Sequence, residues 1–208
     1  MRLPLMFRKL GPAVALAVAA CSQATARPAP IGIPALPHTE ADVHFMSGMI
    51  HHHAQAVLIA GWANSHGASA ELQRLCERIV VAQTDEIGLM QGWLRSKKAP
   101  VPEATAGPMK MAMPGGGMHE MLMPGMLDDA EIKALDAARG GEFDRLFLLG
   151  MIKHHEGAIT MVEELLAAPG AAQDETVFRF SSDVVADQTT EIRVMKQMLA
   201  ARGHAVPQ

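Results

Sequence analysis

Apolar residues recur at three- and four-residue spacing through most of the chain, and the breaks in that rhythm predict helices. The first run starts at Thr39, with Asp42 three residues on as an acidic capping partner, and stops near Asn64 at "NSHGAS". A second spans about 69–97 and ends at "KKAPVP". A short helix starts at Asp128, with Glu131 as its capping partner, and stops at "RGG". Two long runs at about 142–167 and 173–201 are divided by "APGAA". Residues 103–126 are rich in Gly, Pro and Met and keep no period, so they read as a loop. No stretch predicts a strand.

The helical pattern is written twice. "DVHFMSGMIHHH" (42–53) aligns with "DRLFLLGMIKHH" (144–155), and "QTDEIGLMQGWL" (83–94) with "QTTEIRVMKQML" (188–199). A repeated helical hairpin predicts an all-α, antiparallel four-helix bundle with a pseudo-twofold axis, its halves joined by a Met-rich loop. The bundle covers 39–201: repeat one at 39–99, loop at 103–126, repeat two at 127–201, and a short tail at 202–208.

The repeat concentrates polar residues on inward faces. Asp42, Met49 and His53 share one stripe of the first helix, with His52 one step around; Asp144, Met151, His155 and His154 repeat the arrangement. On the second helix Gln83, Glu86 and Met90 lie on or beside the stripe of Leu72, Cys76, Ile79 and Leu94, and Gln188, Glu191 and Met195 match them on the fourth. Such a layer is either a buried hydrogen-bond network with Met filling gaps or a metal site. Adjacent histidines beside thioethers and carboxylates are a costly way to fill a core, so metal is the expectation. Met49, His52, His53, Met90, Met151, His154, His155 and Met195 are then the candidate ligands. Asp42, Gln83, Glu86, Asp144, Gln188 and Glu191 are candidates for orienting them.

"GEFDRLFLLGMIKHHEGAITM" (141–161), and a weaker copy at 42–57, resemble the hallmark of a bacterial family known as domain-of-unknown-function family 305. The resemblance spans about 39–201. It implies a ferritin-like four-helix bundle, export from the cytoplasm and, in some members, copper binding linked to copper resistance. The weaker copy departs from the pattern at Ala54-Gln55, where the better copy has Glu156-Gly157.

Composition narrows the chemistry. A net charge of -4 and 4% aromatic residues argue against nucleic acid as a partner. Methionine stands out with 16 copies. The loop carries Met109, Met111, Met113, Met118, Met121, Met123 and Met126 together with His119. Thioethers are soft ligands that favour Cu(I), with Ag(I) as a mimic; the alternative is a low-complexity linker. Whether Cu(II) takes the histidines while Cu(I) takes the methionines stays open. An enzyme is the rival class, because ferritin-like bundles often carry di-iron sites built on E-x-x-H pairs. None of the four long helices has an E-x-x-H, so the expectation is a binding protein that buffers copper or hands it to other envelope proteins.

At the N-terminus, Arg2, Arg8 and Lys9 precede the apolar run "LGPAVALAVAA", the pattern of a secretory signal. Two cleavage sites compete. "VAAC" makes residues 1–20 a lipoprotein signal with Cys21 lipidated, whereas "ATA" removes 1–26. The first is taken here, with a Pro-rich tether at 21–38, the lipid as sole membrane anchor, and a periplasmic or outer-membrane location. Cys76 is then alone, and reads as a small buried hydrophobe or, alternatively, a thiolate ligand.

Overall fold

The computed structural model describes residues 38–112 and 116–207, with backbone alone at 111–112. The signal segment 1–20 (or 1–26), the tether up to residue 37, Cys21 and Met113 lie outside the described residues. The described chain is mostly helical: α1 (Glu40–Ala60), α2 (Ala70–Ser96), β1 (Met109–Ala112), β2 (Met118–Met121), α3 (Asp129–Ala137), α4 (Gly140–Ala167) and α5 (Glu175–Ala201). No helix among these residues is long and apolar enough to cross a membrane.

The helices start where local chemistry tells them to. Thr39 accepts the Asp42 N–H at 3.2 Å while the Asp42 carboxylate accepts the Thr39 N–H at 2.6 Å. Asp128 and Glu131 repeat that reciprocal cap at α3. Ser69 and Asp174 cap α2 and α5 with their side chains.

α1 packs along α2, α4 along α5, and α1 against α4. The ends show how the hairpins meet. Asp42, at the start of α1, accepts the Ala172 N–H at 2.7 Å in the α4–α5 turn. Asp144, near the start of α4, accepts the Ser69 N–H at 3.1 Å in the α1–α2 turn. Each inner helix therefore begins where the other ends, and the sequence repeat maps onto α1–α2 and α4–α5.

Two apolar clusters fill the interior. One joins Leu72, Ile79, Phe143, Phe147, Met151 and Met195; the other joins Phe45, Met49, Met90, Met123, Val162 and Phe180. His52, His53, His154 and His155, all fully buried, sit on α1 and α4 at the level between them.

The connector between the hairpins corrects the expected unstructured loop. β1 and β2 pair antiparallel, with Met109 opposite Met121 and Met111 opposite His119. Gly116 and Gly117, at φ 93° and 99°, take the backbone through the return that L side chains resist. The alternation in "MKMAM" is a period-2 signal hidden by low-complexity composition. The connector then lies along the α1–α4 seam. Gln55 clasps Leu127 by both backbone groups, at 2.7 and 3.0 Å. His51 Nδ1 meets the Thr105 carbonyl at 3.0 Å, and Lys153 pairs with Glu131 at 2.8 Å. Gly157 lets the backbone of Pro124 and Gly125 come against α4; any side chain there would strike the Pro124 carbonyl. Two aligned pairs at which the repeats differ, His51 with Lys153 and Gln55 with Gly157, thus help to hold the connector, which exists once.

Candidate metal centre

The histidine layer is built by backbone period and completed from across the hairpin. His53 Nε2 lies 2.7 Å from Glu86 Oε2, and His155 Nε2 lies 2.7 Å from Glu191 Oε2. An ionised carboxylate only accepts, so in each neutral ring Nε2 carries the proton and Nδ1 the lone pair. His52 Nε2 likewise donates to the Pro124 carbonyl at 3.1 Å. Its ring lies against that of His154, with centroids 3.7 Å apart and planes tilted by 36°. The Nδ1 atoms of His52, His53 and His155, and both nitrogens of His154, are buried without a protein partner. Each unpaired buried polar atom costs about 1–3 kcal/mol, so five in one layer is a large cost to keep for packing alone.

Electrostatics keep these lone pairs open. Burial first, then the neighbouring imidazoles of His53 and His155, pushes His52 well below its ordinary pKa. Burial, then His52, His155 and His53, does the same to His154. Both rings are neutral at physiological pH, as a ligating imidazole must be. An imidazole that ligates through one nitrogen and donates from the other to a carboxylate or carbonyl is the usual arrangement around bound metal. Among the described residues no three His, Cys, Asp or Glu side chains are already gathered to hold an ion; a mixed site of imidazoles and thioethers is the chemistry on offer.

Met49 and Met90 are fully buried in one apolar cluster, and Met151 and Met195 in the other. Each inner-helix Met precedes its histidine pair by one turn. Gln83 and Gln188 are buried, and their side-chain Oε1 atoms have no protein partner. Asp42 and Asp144 do not touch the histidines: their carboxylates hold the opposite turns. Cys76 is buried, and burial, reinforced by Asp144, pushes its thiol up to about 12, leaving it a protonated, poor ligand.

The connector methionines divide. Met109, Met123 and Met126 are core residues, Met121 is half-buried, and Met118 and His119 are exposed. Met111 is placed by its backbone alone. Pro124 and His44 escaped the sequence-based reading, and Met161 entered it as part of the repeated motif without being taken as a site residue. The Pro124 carbonyl fixes His52, and no side-chain pattern announces a backbone acceptor. Met161 and His44 line, with Met121 and Met123, a cavity of about 310 Å³ beside the connector. The Met123 sulfur sits 2.6 Å from where a Cβ on Gly48 would be, with the Met161 methyl 3.4 Å from the same point. Gly48 thus makes room for thioethers from two segments, and the "MSGM" spacing was the available signal.

A family model described as a domain of unknown function, DUF305, matches residues 42–199. No curated protein matches the chain. Among solved structures, a DUF305 protein of Streptomyces coelicolor, assigned as secreted, is 30% identical with a TM-score of 0.67, covering 81% of this chain and 97% of its own. A DUF305 fragment from Deinococcus radiodurans is 28% identical with a TM-score of 0.64, covering 79% and 99%. CopM in its Cu(II)-bound form is 30% identical with a TM-score of 0.59, covering 77% and 96%. CopM has also been solved with Cu(I) and with silver.

Proposed function

The chain belongs to the DUF305 family, and on that premise we propose that it is an exported copper-binding protein, a ferritin-like four-helix bundle that takes up copper for buffering, transfer or resistance in the bacterial envelope. Copper is its cargo. The observation that carries this reading is the set of buried Nδ1 lone pairs on His52, His53 and His155, each backed through Nε2–H by Glu86, Glu191 or the Pro124 carbonyl. Neutral imidazoles between thioether-bearing clusters suit Cu(I), and silver by the same softness. CopM, structurally similar over most of this chain, binds Cu(I), Cu(II) and silver, which supports the choice of metal.

The half-buried and exposed Met121, Met118 and His119 offer a first contact for the ion, and the connector covers the layer through Pro124. Export rests on the basic and apolar N-terminal run and on the secreted relative; anchoring through Cys21 rests on the sequence alone. The reading is of a binding protein without catalysis. A di-metal oxidase has less to draw on, since Asp42 and Asp144 are spent on loop amides.

The test is a competition titration with Cu(I), Cu(II), Zn(II) and Fe(II), counting metal per chain, in wild type and in His154→Ala/His155→Ala. Preferential Cu(I) binding, lost in part in the variant while helicity persists, is the expected result. Equal copper in both proteins, with only stability reduced in the variant, would make the histidines a structural network.

A further inference from the structure

The sequence repeat leaves one histidine of α1 unexplained. His44 stands where the second repeat has Leu146, and it belongs to neither the histidine layer nor a helix cap. It is exposed, and among the described residues its imidazole has no hydrogen-bond partner. The side chain lines two cavities. One, of about 310 Å³, also exposes Met121 and Glu164. The other, of about 420 Å³, also exposes Met109 and Glu40.

The β1–β2 hairpin brings the two thioethers together. Met109 and Met121 stand directly opposite each other in its register, which puts their Cβ atoms about 5 Å apart on one face. That face is the inner one: both side chains pack on the apolar cluster that holds Phe45, the chain neighbour of His44. The next pair, Lys110 with Glu120, points outward by the strand period and closes as an exposed ion pair at 3.1 Å. Each thioether therefore lies over α1 in a cavity that His44 also lines. We infer that His44, Met109 and Met121 form a second soft-metal site, separate from the histidine layer, whose ion is Cu(I).

Two thioethers and one imidazole are a donor set for Cu(I), whereas Mg²⁺ and Ca²⁺ want oxygen. The three rotatable bonds of each methionine let paired sulfurs close on one ion. The His44 imidazole can turn toward that ion without giving up a protein hydrogen bond. Exposed Glu40 and Glu164, one in each cavity, add a negative potential that draws a cation. Lys110, which lines the second cavity, is paired with Glu120. The site rests on the copper reading for the identity of its ion, but none of its donors belongs to the buried layer. It lies at the surface, where an ion exchanges with solution, whereas the layer is closed.

The probe is Ag(I), titrated into metal-free protein labelled with ¹³C at methionine methyls and ¹⁵N at histidine. The methyls of Met109 and Met121 and one imidazole nitrogen of His44 shift together along a single titration curve. His44→Leu places the second repeat's residue at an exposed position, so the variant folds. It weakens the response of both methyls by at least about tenfold, since even loss of a group behind a ligand costs that much. The same spectra report the histidine layer. Shifts at His53 and His155 with none at His44 overturn this site and leave the copper reading standing. Shifts at His44, Met109 and Met121 with none in the layer support this site and remove the buried one. An unmoved His44 nitrogen, or equal methyl responses in wild type and His44→Leu, overturns the inference.

Discussion

The rings of His52 and His154 face each other across the α1–α4 seam with centroids 3.7 Å apart, yet their surroundings differ: His52 donates to the Pro124 carbonyl and His154 has no protein partner at either nitrogen. The repeat places the two histidines as equivalents, and the connector, which exists once, breaks the equivalence. The outer pair, His53 and His155, keeps it, each held by a glutamate at 2.7 Å.

Those glutamates give the first prediction. Glu86→Gln and Glu191→Gln keep a hydrogen-bonding group beside each imidazole but remove the charge that favours donation from Nε2. Loss of such a partner weakens metal binding about 10–100-fold. Each single variant should therefore lower Cu(I) affinity in a competition assay by roughly that factor while helical content by circular dichroism holds. Unaltered affinity in the double variant would place copper elsewhere.

Protonation gives the second. His52 and His154 are held well below the ordinary imidazole pKa when folded, so the unfolded chain binds more protons below about pH 6.5. Stability is then fully present above that pH and falls as pH drops through it, by about 1.4 kcal/mol per pH unit for each histidine. Denaturant unfolding of the metal-free protein at pH 7.5, 6.5 and 5.5 measures this. A flat profile would mean that the rings protonate freely in the fold. Copper bound to the neutral rings should keep that slope and extend it to lower pH, because the fold then cannot take up the protons that the unfolded chain does.

The connector gives the third. Met118 is 62% exposed, whereas Met123 is 3% exposed and its sulfur occupies the space over Gly48. Met118→Leu should leave stability unchanged, whereas Met123→Ala should cost about 2–5 kcal/mol, read by denaturant unfolding. Gly157→Ala should lift the Pro124–Gly125 backbone off α4. Protease cleavage within the connector would then rise before the helices unfold. Resistance equal to that of wild type would show that the close approach at Gly157 is not needed to hold the connector.

Helix positions were legible because caps and apolar period are local: Thr39 with Asp42 and Asp128 with Glu131 announce themselves. The histidine layer was legible because it is written twice. The roles of Asp42 and Asp144 were not. They share a stripe with His53 and His155, but 11 residues of helix lift them about 16 Å away, to the ends where loop N–H groups wait. Glu86 and Glu191 arrive instead from the paired helices, a contact that single-helix geometry cannot supply. Composition misled in the connector, where a Met-rich run that reads as a flexible loop contains Met109, Met123 and Met126 of the core and a short hairpin.

The most direct test of the central claim is the imidazole nitrogen chemical shifts of ¹⁵N-labelled protein before and after loading with Cu(I) or Ag(I). The account predicts that Nδ1 of His53 and His155 moves on loading while Nε2 stays protonated toward Glu86 and Glu191. Unchanged nitrogen shifts at all four histidines, with methionine methyl resonances alone responding to every bound ion, would contradict it.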